Sequence, residues 1–216
     1  MIVSKRTYGQ YCGLAAALDV VGQRWALLIV RDLVPGPRRF TDLFDGLPGI
    51  STDMLTERLR SLEAAGALRQ REVRTPAPAN LYELTDRGRE LAKLAGELAR
   101  WGLPLLPSPD ESTELVANAR WGLQLRAARY RGGLPDGDVH ITLDDKDELT
   151  LTLADGRGRL EYGHSNTDAL LTIDATTPGM LALLRTMPDG DPAIPRNVRV
   201  DGRVDLVWPL VRALAI

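Results

Sequence analysis

The 216 residues carry 26% charged and 44% hydrophobic side chains at a formal net charge of −2. That is the composition of a globular chain with enough length to bury a core unaided, and it excludes a disordered or collagen-like polymer. A single cysteine excludes an intrachain disulfide, and two histidines beside it exclude an ordinary multi-ligand zinc site.

Charge is unevenly divided. Residues 1–103 hold 15 Lys/Arg against 12 Asp/Glu, whereas residues 104–216 hold 12 against 17. Such asymmetry suggests different partners for the two halves. Lysine is nearly absent, so the abundance of arginine reflects composition and says nothing by itself about DNA. The polar start, with Lys5 and Arg6, lacks the apolar stretch of a secretory signal, and apolar runs such as Ala26–Val30 fall far short of the roughly 20 residues that span a bilayer. A soluble, cytoplasmic protein with no membrane partner is expected.

In chain order, the first half reads as four helices, a hairpin and a fifth helix. Helices are expected over Gly13–Val21 and Trp25–Leu33, the second ended by Pro35-Gly36-Pro37. A short helix covers Phe40–Phe44. After the break at Gly46–Gly49, Ser51 stands as a cap, and Leu55, Leu59 and Leu62 recur on one helical face until Gly66 stops it. Ala67–Val73 and Asn80–Leu84 form a hairpin with a proline-stiffened tip. Thr85 caps a last helix with the apolar face Leu91, Leu94, Ala95, Leu98 and Trp101.

Three prolines in Leu103–Pro109 mark a boundary, so domains are expected at 1–103 and 108–216. Ser108-Pro109-Asp110-Glu111 then opens a helix running to Arg131, with Leu115, Ala119, Leu123, Ala127 and Tyr130 on one face. Period-two strands follow at Val139/Ile141/Leu143 and Leu149/Leu151/Leu153, turned by the acidic run Asp144–Glu148, which reads as a solvated hairpin turn. Further strands lie at Leu160–Tyr162, Leu171–Ile173 and Val198–Val200, with helices from Thr177 to Leu184 and after Gly202. The alternation implies a sheet with one buried face. The whole is an α+β chain.

Catalytic signatures are sparse. No GxxxxGK[ST] loop or complete GxGxxG is present, His140 falls on the polar side of its strand, and neither an enzyme nor a cofactor is implied. The helix–turn–helix order is the stronger signal. A major groove admits one α-helix, which must be glued to its domain by one face and offer small polar or basic side chains on the other. Leu55, Leu59 and Leu62 supply the glue. Ser51, Thr52, Thr56 and Arg60 lie off that face, with Arg58 near its edge. Arg38 and Arg39 ahead of the third helix, and Arg71 and Arg74 along the hairpin, are candidates for phosphate contacts.

The segments Cys12, Leu18-Asp19-Val20-Val21-Gly22-Gln23-Arg24-Trp25, Arg31-Asp32-Leu33, Arg39-Phe40-Thr41-Asp42-Leu43, Gly49-Ile50-Ser51, Leu55-Thr56-Glu57-Arg58-Leu59, Leu62-Glu63 and Tyr82-Glu83-Leu84-Thr85 together resemble the HxlR-type winged helix regulators over residues 8–103. The resemblance implies a winged helix-turn-helix, a homodimer joined through its terminal helices, and a pseudo-palindromic DNA operator. It also implies that the Ser51–Ala65 helix reads DNA and that 67–84 is the wing. Some members sense oxidants or electrophiles through the early cysteine. Cys12 is therefore either a redox switch or an inert, partly buried thiol, and Gly13 departs from the proline that often follows it.

The second half resembles, less specifically, a sterol-carrier-type lipid-binding fold. That likeness implies a pocket for a hydrophobic small-molecule effector, with candidate lining Leu151, Leu171, Ile173, Met180, Leu184, Met187 and Trp208; ordinary core is the competing assignment for each. The expected function is a dimeric transcriptional regulator responding to such an effector. The alternatives are a Cys12-triggered regulator, or a lipid carrier or small enzyme with a docking platform.

Overall fold

The computed structural model describes residues 7–73, 79–105, 119–185 and 193–214. The chain divides into two compact units, Met1–Glu111 and Ser112–Ile216. Among the described residues no single helix is long and apolar enough to cross a membrane.

The first unit begins with α1 (Gly13–Val21) and α2 (Ala26–Asp32), which meet at a 75° bend. Trp25, expected inside the second helix, instead sits at φ 78 and precedes it. A left-handed backbone at a bulky residue breaks the helix, and the buried indole supports the bend. Then come β1 (Arg38–Arg39), α3 (Phe40–Asp45) and α4 (Thr52–Ala64). Ser51 caps α4 by accepting the Met54 N–H at 3.2 Å. At the far end Ala67 N–H donates to the Leu62 carbonyl and Gly66 N–H to that of Glu63, with Gly66 at φ +71. This is the Schellman closure that a glycine permits.

Strands β2 (Leu68–Val73) and β3 (Ala79–Leu84) form the expected hairpin, whose tip, Arg74 included, lies outside the described residues. A third strand was not expected: β1 pairs antiparallel with β3, Arg38 opposite Tyr82 and Arg39 opposite Leu81. Two arginines after a proline show no alternation, so nothing in the pattern announces a strand. The order is β1-β3-β2. The unit's core gathers Ile29, Val30, Leu43, Leu55, Leu62 and Leu84 between the helices and one face of this sheet.

Helix α5 (Asp86–Gly102) follows, with Thr85 Oγ1 accepting the Gly88 N–H at 3.1 Å. Its expected apolar face holds at Ala95, which is buried, and Leu91, which packs against the core, and is corrected elsewhere. The helix buries Gly88, Ala92, Ala95 and Gly96, while Leu94, Leu98 and Trp101 stand 66%, 51% and 71% exposed. Small residues win the inner face because the backbones approach closely: a Cβ at Gly88 would lie 1.9 Å from the Ala67 carbonyl oxygen.

The second unit is described from α6 (Ala119–Ala127), which ends four residues before the expected Arg131; Leu115 and the Ser108 cap lie outside the described residues. Its sheet comprises β4 (Gly137–Leu143), β5 (Asp147–Ala154), β6 (Arg157–Tyr162), β7 (Leu171–Ala175) and β8 (Val198–Gly202), in the order β6-β5-β4-β7-β8. All neighbours are antiparallel except β4 and β7. The alternating Val139, Ile141, Leu149, Leu151, Leu171 and Ile173 share one core with α6, α7 (Thr177–Arg185) and α8 (Val207–Ala213).

The expected effector-pocket residues are core. Leu151, Leu171, Ile173, Met180, Leu184 and Trp208 are all buried against one another in that cluster, and Met187 lies outside the described residues. A small cavity of about 10 Å³ does occur, lined by Leu134, Val139, Leu153, Leu170, Leu171, Leu206 and Leu210. It shares only Leu171 with the expected set and has room for about one water.

Two polar features differ from expectation. The acidic turn is not simply solvated: Asp144 accepts the Thr177 N–H at 2.7 Å and its hydroxyl at 2.5 Å, capping α7, and Asp147 pairs with Arg120 at 2.7 Å. His140 is half-buried rather than exposed. It stacks on His164 at 4.6 Å and meets the Ser165 hydroxyl at 3.0 Å.

Candidate nucleic-acid interface

Helix α4 is amphipathic about a definite line. Leu55, Arg58, Leu59 and Leu62 are buried, and the positions facing away, Asp53, Glu57 and Arg60, run at i, i+4 and i+7 along the exposed side. Ser51 and Thr52 are exposed at the helix start. Thr56 is half-buried on the flank, its hydroxyl donating to the Thr52 carbonyl at 2.8 Å. The sequence-based choice of Thr52, Thr56 and Arg60 therefore caught one flank and the end of the outward stripe. It passed over Asp53 and Glu57, which the same spacing rule identifies once Leu55 and Leu62 fix the buried side.

Arg58 is corrected. It is only 8% exposed, three residues on from Leu55 and hence on the buried stripe. Its Nη1 donates to Glu57 Oε1 at 3.2 Å, and its Nε finds no partner among the described residues. The stem and Nε are thus buried, while Nη1 is held against Glu57 at the rim.

Arg38 and Arg39 part company across β1. Arg38 is half-buried, and its guanidinium donates to the Asp42 carbonyl at 3.4 Å. Arg39 is exposed, and its backbone N–H donates to Asp42 Oδ2 at 3.1 Å. In register, Arg39 stands opposite Leu81, which stands opposite Arg71, while Arg69 stands opposite Glu83. Opposed residues share a face, so Arg39, Arg71 and Arg69 line the solvent side of the wing sheet, with Glu83 among them. Glu83 binds Arg69 at 2.7 Å and Arg71 at 3.5 Å, holding both extended across the strand. Topology thereby joins two arginines, Arg39 and Arg71, that the sequence assigned to separate elements.

The other face of the wing carries Tyr82, whose hydroxyl accepts from Gln70 Nε2 at 3.3 Å. Burial, reinforced by Glu63, raises its pKa, with Arg60 acting in the opposite sense. The phenol is therefore neutral at physiological pH and links β3 to β2 within the wing. Cys12 precedes α1 in extended backbone and is exposed, not partly buried.

A short helix, a glycine turn, an outward-facing capped helix and an antiparallel wing define a winged helix-turn-helix domain. A profile of the HxlR-like helix-turn-helix family matches residues 20–109. The HTH-type transcriptional regulator YvaP of Bacillus subtilis is 40% identical over 86 residues, covering 39% of this chain and 79% of that protein. YodB, another HTH-type transcriptional regulator of Bacillus subtilis, is 35% identical over 89 residues, covering 41% and 79%. The solved reduced form of YodB aligns with 47% of this chain and all of its own at a TM-score of 0.41 and 29% identity. The chain belongs to the HxlR-like helix-turn-helix family.

Proposed function

We propose that this chain is a DNA-binding transcriptional regulator that acts in the cytoplasm as a homodimer. The observation that carries the reading is the division of α4, anchored by Leu55, Leu59 and Leu62 on one side and offering Arg60 with polar neighbours on the other. Arg39, Arg69 and Arg71 on the wing supply charge for phosphates. In this reading α4 enters the major groove, and Ser51 and Thr52 bring the helix N-terminus to the backbone.

The dimer rests on apolar surface that the described residues of the first unit leave exposed. Leu94, Leu98, Trp101 and Leu105 expose a run of apolar side chains along α5 and its continuation, and Leu14 on α1 is 69% exposed. A second copy supplies the complementary surface, and its two-fold symmetry sets the half-sites about one helical turn, 34–36 Å, apart. Enrichment from a random duplex pool tests the reading. A pseudo-palindrome with that spacing is expected, and a pool that yields no enriched motif contradicts it.

Two triggers are compatible with such a regulator. In the first, the second unit works as a sterol-carrier-like sensor. Its mixed five-stranded sheet with helices in one core supports the likeness. An apolar effector there must part Met180 and Trp208 from the sheet, so binding is expected to raise the unfolding temperature of that unit. In the second, the exposure of Cys12 favours a thiol switch. A Cys12→Ser variant that still releases DNA on oxidant treatment contradicts the second.

A further inference from the structure

We propose that Glu57 is a base-reading residue of this regulator, selecting a cytosine in each half-site, with Arg58 as its positioning residue. The inference rests on α4 being the helix that enters the groove.

Glu57 lies in the middle of the outward stripe, with its side chain 61% exposed. Long exposed carboxylates on helices are ordinarily free to sweep several rotamers, and ordering one costs conformational entropy on binding. Glu57 is restrained beforehand. The Arg58 guanidinium, whose side chain is only 10% exposed, holds Oε1 at 3.2 Å from below. That contact engages Oε1 alone, and the 61% exposure of the side chain leaves Oε2 open to accept from a ligand. It also offsets the repulsion that a bare carboxylate meets between two phosphate backbones.

The chemistry of the neighbours narrows the choice of base. Thr56 spends its hydroxyl proton on the Thr52 carbonyl at 2.8 Å, so it too presents acceptor lone pairs. Glu57 and Thr56 therefore offer acceptors side by side, and the nearest donor on the stripe is Arg60, a turn away. In the major groove a carboxylate accepts from the N4 amino group of cytosine, which has no acceptor beside it; adenine sets its N7 acceptor next to its N6 amino group, and the O4 of thymine and the O6 and N7 of guanine repel a carboxylate outright. Asp53 is on the same stripe but has no side-chain partner among the described residues. It supplies charge without a fixed direction.

The test uses full-length protein and the duplex enriched from the random pool. Anisotropy titrations compare that duplex with ones in which a single cytosine per half-site is replaced by thymine, for wild type, Glu57→Gln and Asp53→Asn. Good base contacts discriminate by about 1–3 kcal/mol, so wild type is expected to lose roughly 5-fold or more in affinity at one particular cytosine. Glu57→Gln, able to donate as well as accept, is expected to reduce that preference to less than about 2-fold. Asp53→Asn, which removes the same charge from the same face, is expected to shift all duplexes alike and keep the preference. Arg58→Lys is expected to weaken the preference while leaving Glu57 in place, and circular dichroism shows that each variant is folded. If Glu57→Gln changes every duplex equally, or Asp53→Asn abolishes the preference just as well, the proposal is overturned. A wild-type protein with no sequence-selective binding overturns it too, and that outcome is distinguishable because the regulator reading then fails first.

Discussion

Asp138, at the start of β4, accepts three hydroxyls: Thr152 at 2.7 Å, Ser165 at 2.6 Å and Thr167 at 2.5 Å. The Ser165 and Thr167 contacts clip the 163–170 segment to the sheet, and that of Thr152 joins β4 to β5. The Ser165 hydroxyl, then that of Thr167, holds the Asp138 carboxyl below the ordinary carboxylate value. A group depressed in the folded state contributes stability that is complete above its unfolded pKa, near 3.8, and is lost as pH falls through the folded value. Stability of the second unit is therefore expected to drop below about pH 4, and Asp138→Asn is expected to flatten that part of the profile and to cost about 1–2 kcal/mol at neutral pH. Urea titrations across the acid range measure both; an unchanged profile contradicts the assignment. At Gly88 the constraint is steric. Any side chain meets the Ala67 carbonyl oxygen, so Gly88→Ala is expected to lower the stability of the first unit by about 1–3 kcal/mol, read from the urea midpoint.

At the scale of elements, helices with strong end signals were legible and faces less so. Ser51 and Gly66 bracket α4 because a cap hydroxyl and a left-handed glycine are local devices, each visible within four residues of chain. Hydrophobicity alone does not identify the inner face of α5, because close backbone approach there selects glycine and alanine beside Leu91. Arg58 escaped for the related reason that a long side chain can bury its stem and hold its head at the rim. The apolar stripe left outside on α5 carries its own prediction. Leu98→Glu is expected to convert the dimer to a monomer at micromolar concentration in sedimentation, with an unchanged circular dichroism spectrum, because the site is 51% exposed in one chain. A variant that remains dimeric moves the interface elsewhere.

For the molecule as a whole, the strands of the second unit were readable from period-two alternation, but their arrangement was not. Alternation is the same whether β4 and β7 run parallel or antiparallel, and only the path of the chain around the β5–β6 hairpin decides it. The pairing of His140 with His164 and the alignment of Arg39 with Arg71 were invisible for the same reason, since they depend on register between distant segments. Pocket residues and core residues of a small sheet domain likewise share one pattern, so the sequence could not separate a lipid site from ordinary packing.

DNA binding through α4 and the wing is central to the proposed regulator. Its most direct test is the anisotropy of a labelled duplex from upstream of the protein's own gene, titrated across a salt series beside a scrambled duplex. Affinity is expected to be at least about 10³-fold higher for the cognate duplex, with a log–log salt slope steeper than about −3, the mark of several phosphates neutralised by arginine. Arg60→Ala is expected to reduce the cognate affinity more than the scrambled one, and Arg71→Ala to reduce both alike. Equal affinity for the two duplexes, extending to the enriched pool sequence, would contradict it.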